Sequence, residues 1–221
     1  MRPVTRPALF APAPIVGAGL DRDQKSITLK QLDESQVKGC RKCGLHAGRT
    51  QTVFGEGDVD ARIMFIGEGP GENEDLTGRP FVGRAGELLD RMIVSMGLRR
   101  EDVFIANIVK CRPPGNRAPA PDEVSACTPY LDAQIETIRP QVIVTLGAPA
   151  AKYILRDDKI AITRLRGQWR EYRGIKVMPT FHPAYILRQY TREVRGQVWS
   201  DLQQVMDAVG LPRPGRDEPP G

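Results

Sequence analysis

Four short apolar runs, separated by helix-length segments, restrict the folds open to this chain. Arg62–Ile66 (RIMFI), Val103–Val109 (VFIANIV), Val142–Leu146 (VIVTL) and Gly174–Thr180 (GIKVMPT) read as buried strands. Between the first two, Gly83 to Met96 carries Leu88, Leu89, Met92, Ile93 and Met96 on one helical face. Pro121 to Ile138 reads as a helix with proline in its first turn and Asp122 and Glu123 at its positive end. Ala148 to Leu155 and Arg192 to Val209 read as two further helices, and the methionines on these faces as core filler. Strands alternating with helices pair in parallel, with the crossovers covering both faces of the sheet. Ligands on such α/β sheets bind beyond the carboxyl ends of the strands.

The first run ends in the segment that carries most of the chemistry, Gly67 to Phe81 (GEGPGENEDLTGRPF). Three glycines and Pro70 force a tight turn whose backbone a ligand can approach closely. The turn carries Glu68, Glu72, Glu74 and Asp75, followed by the ring of Phe81. Carboxylates and a ring on a rigid turn suit a flat, polar, neutral ligand. A phosphate would be repelled, and no G-K-[ST] follows the glycines.

At 221 residues, 40% hydrophobic and 27% charged, the chain suits one globular domain with a real core. No apolar run approaches the roughly 20 residues that cross a bilayer, and no membrane partner is expected. Four prolines in residues 1–20 break any signal-peptide core or transit helix. Residues 1–28 are expected to form a disordered arm, 29–211 the folded domain and 212–221 a disordered tail, in a cytoplasmic protein. Net charge is +5, but between Arg156 and Gly196 ten Lys/Arg face only four Asp/Glu. Such a stretch fits a solvated basic face and a phosphate-binding surface equally well.

Cys40, Cys43, Cys111 and Cys127 are the only cysteines. Without a secretory signal a disulfide framework is not expected. A C-x2-C pair with two more thiols can hold a tetrahedral zinc or an iron–sulfur cluster. The wide gap between the last two, and the loop-forming Pro113 and Pro114, suit a cluster clamped by loops, yet spacing alone leaves both metals open. Chance placement of buried thiols is the remaining alternative.

Other candidates fall at the strand ends. Asn107 interrupts VFIANIV, and a buried amide must be tied to the backbone or presented to a ligand. His182 leaves the fourth strand in a Phe181-His182-Pro183 turn. Phe81 is either core or a stacking platform, and His46 is given no role. Convergence of these independent candidates on one edge of the sheet outweighs any one of them.

GEGPGENEDLTGRPFVGRAG, NIVKCRPPGNRAPAPDEVSAC, LGAPAAKYIL and FHPAYIL resemble, in order, the blocks of the family 4 iron–sulfur uracil-DNA glycosylases. The resemblance covers roughly Lys38 to Trp199 and includes all four cysteines. It implies a three-layer α/β sandwich around a central four-stranded parallel sheet, in a monomer. It also implies a [4Fe–4S] cluster on Cys40, Cys43, Cys111 and Cys127, and uracil-containing DNA, single- or double-stranded, as substrate, in a protein associated with the nucleoid. By the same resemblance Glu68, His182 and Asn116 are catalytic, and Glu68, Gly69, Pro70, Glu74, Phe81, Asn107 and His182 bind uracil. Glu74 would wall the C5 side of the base. Tyr185, Leu187 and Arg188 would enter or contact the DNA. Related glycosylases place Asp or Asn where this chain has Gly69, and the cross-linking relatives carry a histidine that Arg164 to Thr180 lacks. Two other readings remain: a metal-bound nucleic-acid-binding module without catalysis, and a nucleotide hydrolase, which would lack a phosphate loop.

Overall fold

The computed structural model describes residues 19–213. A six-stranded sheet runs through it in the order β1-β3-β2-β4-β6-β5. The strands are β1 (Glu56–Gly57), β2 (Ile63–Gly67), β3 (Phe104–Asn107), β4 (Val142–Leu146), β5 (Arg170–Tyr172) and β6 (Ile175–Thr180). The central four, β3-β2-β4-β6, are parallel, as the alternation of strand and helix predicts. The sequence reading lacked the edges: β1 and β5 pair antiparallel on β3 and β6 and are too short to show a period.

The helices are α1 (Arg22–Leu32), α2 (Glu72–Thr77), α3 (Arg84–Ser95), α4 (Pro121–Ile138), α5 (Ala148–Leu155), α6 (Ile162–Leu165), α7 (Pro183–Arg188) and α8 (Arg192–Ala208). Alternate residues of β2 divide the core. Met64 and Ile66 face a layer that includes Leu29 of α1, Leu131 and Ile135 of α4 and Ile154 of α5. Ile63 and Phe65 face Leu89 and Ile93 of α3, Ile186 of α7 and Leu202 of α8. Every residue of β2 and β4 is buried, as expected of parallel strands covered on both faces.

One boundary needs correction. Folded structure begins at α1, ahead of the expected edge at residue 29. Asp21 caps α1, accepting from the Gln24 backbone at 2.9 Å while the Gln24 side chain accepts from Asp21 N–H at 3.0 Å. Lys25 then ties the helix to Asp60 at 2.7 Å. At the other end Arg213 bonds Asp207. The rest of the expected arm and tail, 1–18 and 214–221, lies outside the described residues.

Candidate active site

The parallel strands end together, and a cavity of about 640 Å³ opens over their carboxyl ends. Register explains much of its floor. Gly67 sits directly opposite Asn107. A Cβ on Gly67 would lie 2.5 Å from Asn107 Oδ1 and 2.5 Å from Phe81 Cζ. Only glycine therefore lets an amide and an aromatic edge converge there.

Asn107 is 2% exposed, and its Oδ1 is buried without a hydrogen-bond partner among the described residues. Buried amides are almost always satisfied, so an orphan acceptor on a cavity wall is a vacant binding function. Its own carbonyl is engaged, accepting from Lys110 Nζ at 3.0 Å. Lys110 is buried, also donates to Gln134 at 2.6 Å, and has its pKa pushed down by burial to about 8.

Phe81 stands in the left-handed region, at φ 51°, which costs a non-glycine residue about 1–3 kcal/mol unless its surroundings hold it. Two groups hold it. Glu74 Oε1 accepts from Val82 N–H at 2.9 Å and Gly83 N–H at 3.0 Å, while Oε2 accepts from Gly71 N–H at 3.0 Å. Arg100 donates to the carbonyls of Pro80 and Phe81 and is itself braced by Glu56 and Asp90, each at 2.6 Å. The ring lines the cavity with its centroid 5.7 Å from that of His182.

His182 caps α7. Its Nδ1 accepts from Ala184 N–H at 3.1 Å, so the neutral ring carries its proton on Nε2. Burial pushes its pKa down to about 4, the Arg188 charge adds to this, and Glu74 opposes it. The ring is therefore neutral at pH 7. Nε2–H has no partner among the described residues and is free to donate into the cavity. Gly147, at φ 88°, lets the β4 end approach: a Cβ there would lie 3.1 Å from His182 Cβ.

Glu68 follows β2 on the cavity wall, and burial pushes its pKa up. Its carboxylate makes no hydrogen bond among the described residues, which leaves it able to hold a water. Gly69 and Pro70 continue the same wall, and a Cβ on Gly69 would strike Val109 at 2.8 Å. Asn116 reaches the cavity from the loop after β3, its Oδ1 accepting from Arg112 Nε at 2.8 Å. Tyr185 and Arg188 of α7 line the cavity; Leu187 does not, and packs instead with the α3 and α8 layer. Sequence reasoning missed Arg100 and the clamp made by Glu74; the one available signal was G-x-x-E at Gly71 and Glu74, the spacing of a capping box.

The four cysteines, none of them in a disulfide, line one small second cavity. Sulfur acceptors there take hydrogen bonds from Arg49 to Cys111 at 3.2 Å, Tyr130 OH to Cys40 at 3.2 Å and Lys110 N–H to Cys127 at 3.1 Å. Burial raises the pKa of Cys111 and pushes that of Cys127 up to about 11. No three His, Cys, Asp or Glu side chains among the described residues converge closely enough for a single metal ion.

The family model described as Uracil DNA glycosylase superfamily matches residues 54–203, which hold the whole strand-end cavity. A type-4 uracil-DNA glycosylase of Thermotoga maritima is 52% identical over 182 residues, 82% of this chain and 95% of that protein. This chain belongs to the type-4 uracil-DNA glycosylases. Other members of the family include the enzymes of Sulfurisphaera tokodaii, 46% identical over 84% of this chain and 87% of theirs, and Saccharolobus solfataricus, 48% over 80% and 85%. The fold expected of such a glycosylase, a sandwich about four parallel strands, is the one described above.

Proposed function

We propose that the protein excises uracil from DNA by hydrolysing its N-glycosidic bond, leaving an abasic site as the first step of base excision repair. The observation that carries this reading is the orphan Oδ1 of Asn107 on the cavity wall. Uracil presents an N3–H donor beside an O4 acceptor, and a side-chain amide answers both. Cytosine presents the reverse order and leaves both groups unpaired, a mismatch that costs far more than a lost methylene contact. A base in a duplex must be flipped to reach such a site.

The flipped base stacks on Phe81, with Gly69 and Pro70 along its edge and Glu74 walling the C5 side. His182 Nε2–H donates to O2, where negative charge gathers as the bond breaks. A preorganised donor of this kind is commonly worth about 3 kcal/mol. Because the ring is neutral, O2 is stabilised by a hydrogen bond and not by full proton transfer. As the C1′–N1 bond breaks, its electron pair passes to the uracil ring and the sugar becomes oxocarbenium-like. Glu68 orients the water that adds to C1′ and takes its proton. Asn116, fixed by Arg112, supports this network.

Leu187 or Tyr185 fills the space the base vacates, Arg188 contacts phosphate, and the basic residues from Arg156 to Arg188 give salt-sensitive binding along the backbone. Four thiols lining one pocket are the donor set that a [4Fe–4S] cluster takes, and the likeness to the type-4 enzymes favours the cluster over zinc. Held by Cys40, Cys43, Cys111 and Cys127, a cluster would cross-link the loop ahead of Gly44, the loop after β3 and helix α4. The protein acts as a cytoplasmic monomer on chromosomal DNA. No helix among the described residues is long and apolar enough to cross a membrane.

His182→Ser and Glu68→Gln test the assignment: each is expected to cut uracil release far more than DNA binding. Equal loss of both would reduce these residues to supports of the fold.

A further inference from the structure

A third concavity, about 280 Å³, lies on the helical layer between α3 and α8. Its floor is aliphatic, from Leu88, Met92, Ile186, Val198 and Leu202, and Trp199 and Tyr190 form its walls. Tyr190 is 50% exposed, a large apolar surface left open to water. Arg91, Arg192 and Arg195 also line the groove, and no carboxylate does. None of the three makes an ion pair among the described residues. Arg195 lies 4.9 Å over the Tyr190 ring, and its Nε is buried without a hydrogen-bond partner. An apolar trough lined by unpaired guanidinium groups is complementary to a ligand that is both apolar and anionic.

We propose that this groove docks an acidic amphipathic segment of a protein partner. Its apolar side chains would fill the trough, and its carboxylates would meet Arg91, Arg192 and Arg195 bidentately. Nucleic acid is the weaker match. The floor lies beyond α7 from the strand-end cavity, and although a base can stack on Trp199 or Tyr190, the aliphatic floor of Leu88, Met92 and Leu202 offers the polar edges of a nucleotide no partner. Peptide docking here does not depend on the chemistry assigned to the strand-end cavity.

A fluorescein-labelled synthetic helical peptide, with Leu and Phe at i, i+3, i+4 spacing and Glu or Asp elsewhere, probes the groove by anisotropy against the full chain. Two controls carry Lys for every acid, or Ala for every apolar residue. The acidic amphipath is expected to bind saturably and both controls at least about tenfold more weakly. Arg91→Glu, at an exposed position, is expected to weaken the acidic peptide by a similar factor and to improve the Lys control. Binding should also shift the fluorescence of the wild-type protein but not of Trp199→Phe. Indistinguishable binding of the three peptides, or none that saturates, would overturn the proposal. So would a uracil-containing duplex that displaces the peptide while Arg91→Glu lowers the salt slope of DNA binding by about one; the groove would then belong to the DNA interface.

Discussion

Replacing Asn107 by leucine separates a binding group from a structural one. The two side chains are nearly isosteric, and Asn107 is 2% exposed with its Oδ1 unsatisfied. An unsatisfied buried acceptor costs the folded state about 1–3 kcal/mol. Leu at this position removes that cost and places an apolar tip against Phe81. In a domain of this size each kcal/mol moves Tm by about 2–4 °C, so Asn107→Leu should melt several degrees above wild type. Uracil release should move the other way. With both polar groups of the base edge unpaired, about 3 kcal/mol of transition-state binding is lost, roughly a hundredfold or more in kcat/KM. Differential scanning fluorimetry and single-turnover release from a uracil-containing oligonucleotide read the two effects on one preparation. A variant that melts lower and still releases uracil at the wild-type rate would show that the amide serves the fold, and the reading of uracil by Asn107 would fail.

Other consequences follow from the same geometry. His182 has its pKa depressed from 6.5 to about 4 in the folded state, so the unfolded chain binds the extra proton first. Stability should therefore fall as pH drops from about 6.5 to 4, by about 3 kcal/mol in all. Melting curves across that range should show the loss in wild type and a flatter profile in His182→Asn. Glu68 is raised by burial, so the acid limb of uracil release should lie above the ordinary glutamate range and disappear from the residual activity of Glu68→Gln. In Glu74→Gln one of the three backbone N–H groups now held by carboxylate oxygens would face an amide nitrogen. Stability should drop by about 1–3 kcal/mol, and KM should rise as the Phe81 turn loosens. Cys111→Ser should purify colourless and poor in iron; a brown, iron-replete variant would show that Cys111 is no ligand.

The elements legible in the sequence were those whose period was long or whose ends were marked. The helix at Pro121–Ile138 has proline at its start, and the strand at Val142–Leu146 is a closed apolar run; both keep their expected bounds. Helix α1 was misjudged because RDQKSITLKQL buries one residue, Leu29, and shows no apolar stripe; its capping box was the only mark. The two edge strands consist of two and three residues, and what makes them strands is a partner distant in sequence. Asn107 and His182 were visible as polar residues at the ends of apolar runs. The left-handed backbone of Phe81, and the Arg100 and Glu74 contacts that hold it, were not, because they join segments up to 20 residues apart through side-chain-to-backbone bonds. The orphan state of Asn107 Oδ1 likewise depends on what fails to reach it, which only packing decides.

Treatment of a labelled oligonucleotide carrying one uracil with purified, iron-loaded protein, followed by alkali to nick abasic sites, tests the central claim most directly. Cleavage at uracil, with matched cytosine and thymine oligonucleotides intact, is the predicted result. Intact uracil DNA under conditions where the protein binds it would contradict the glycosylase assignment and leave the strand-end cavity to another ligand.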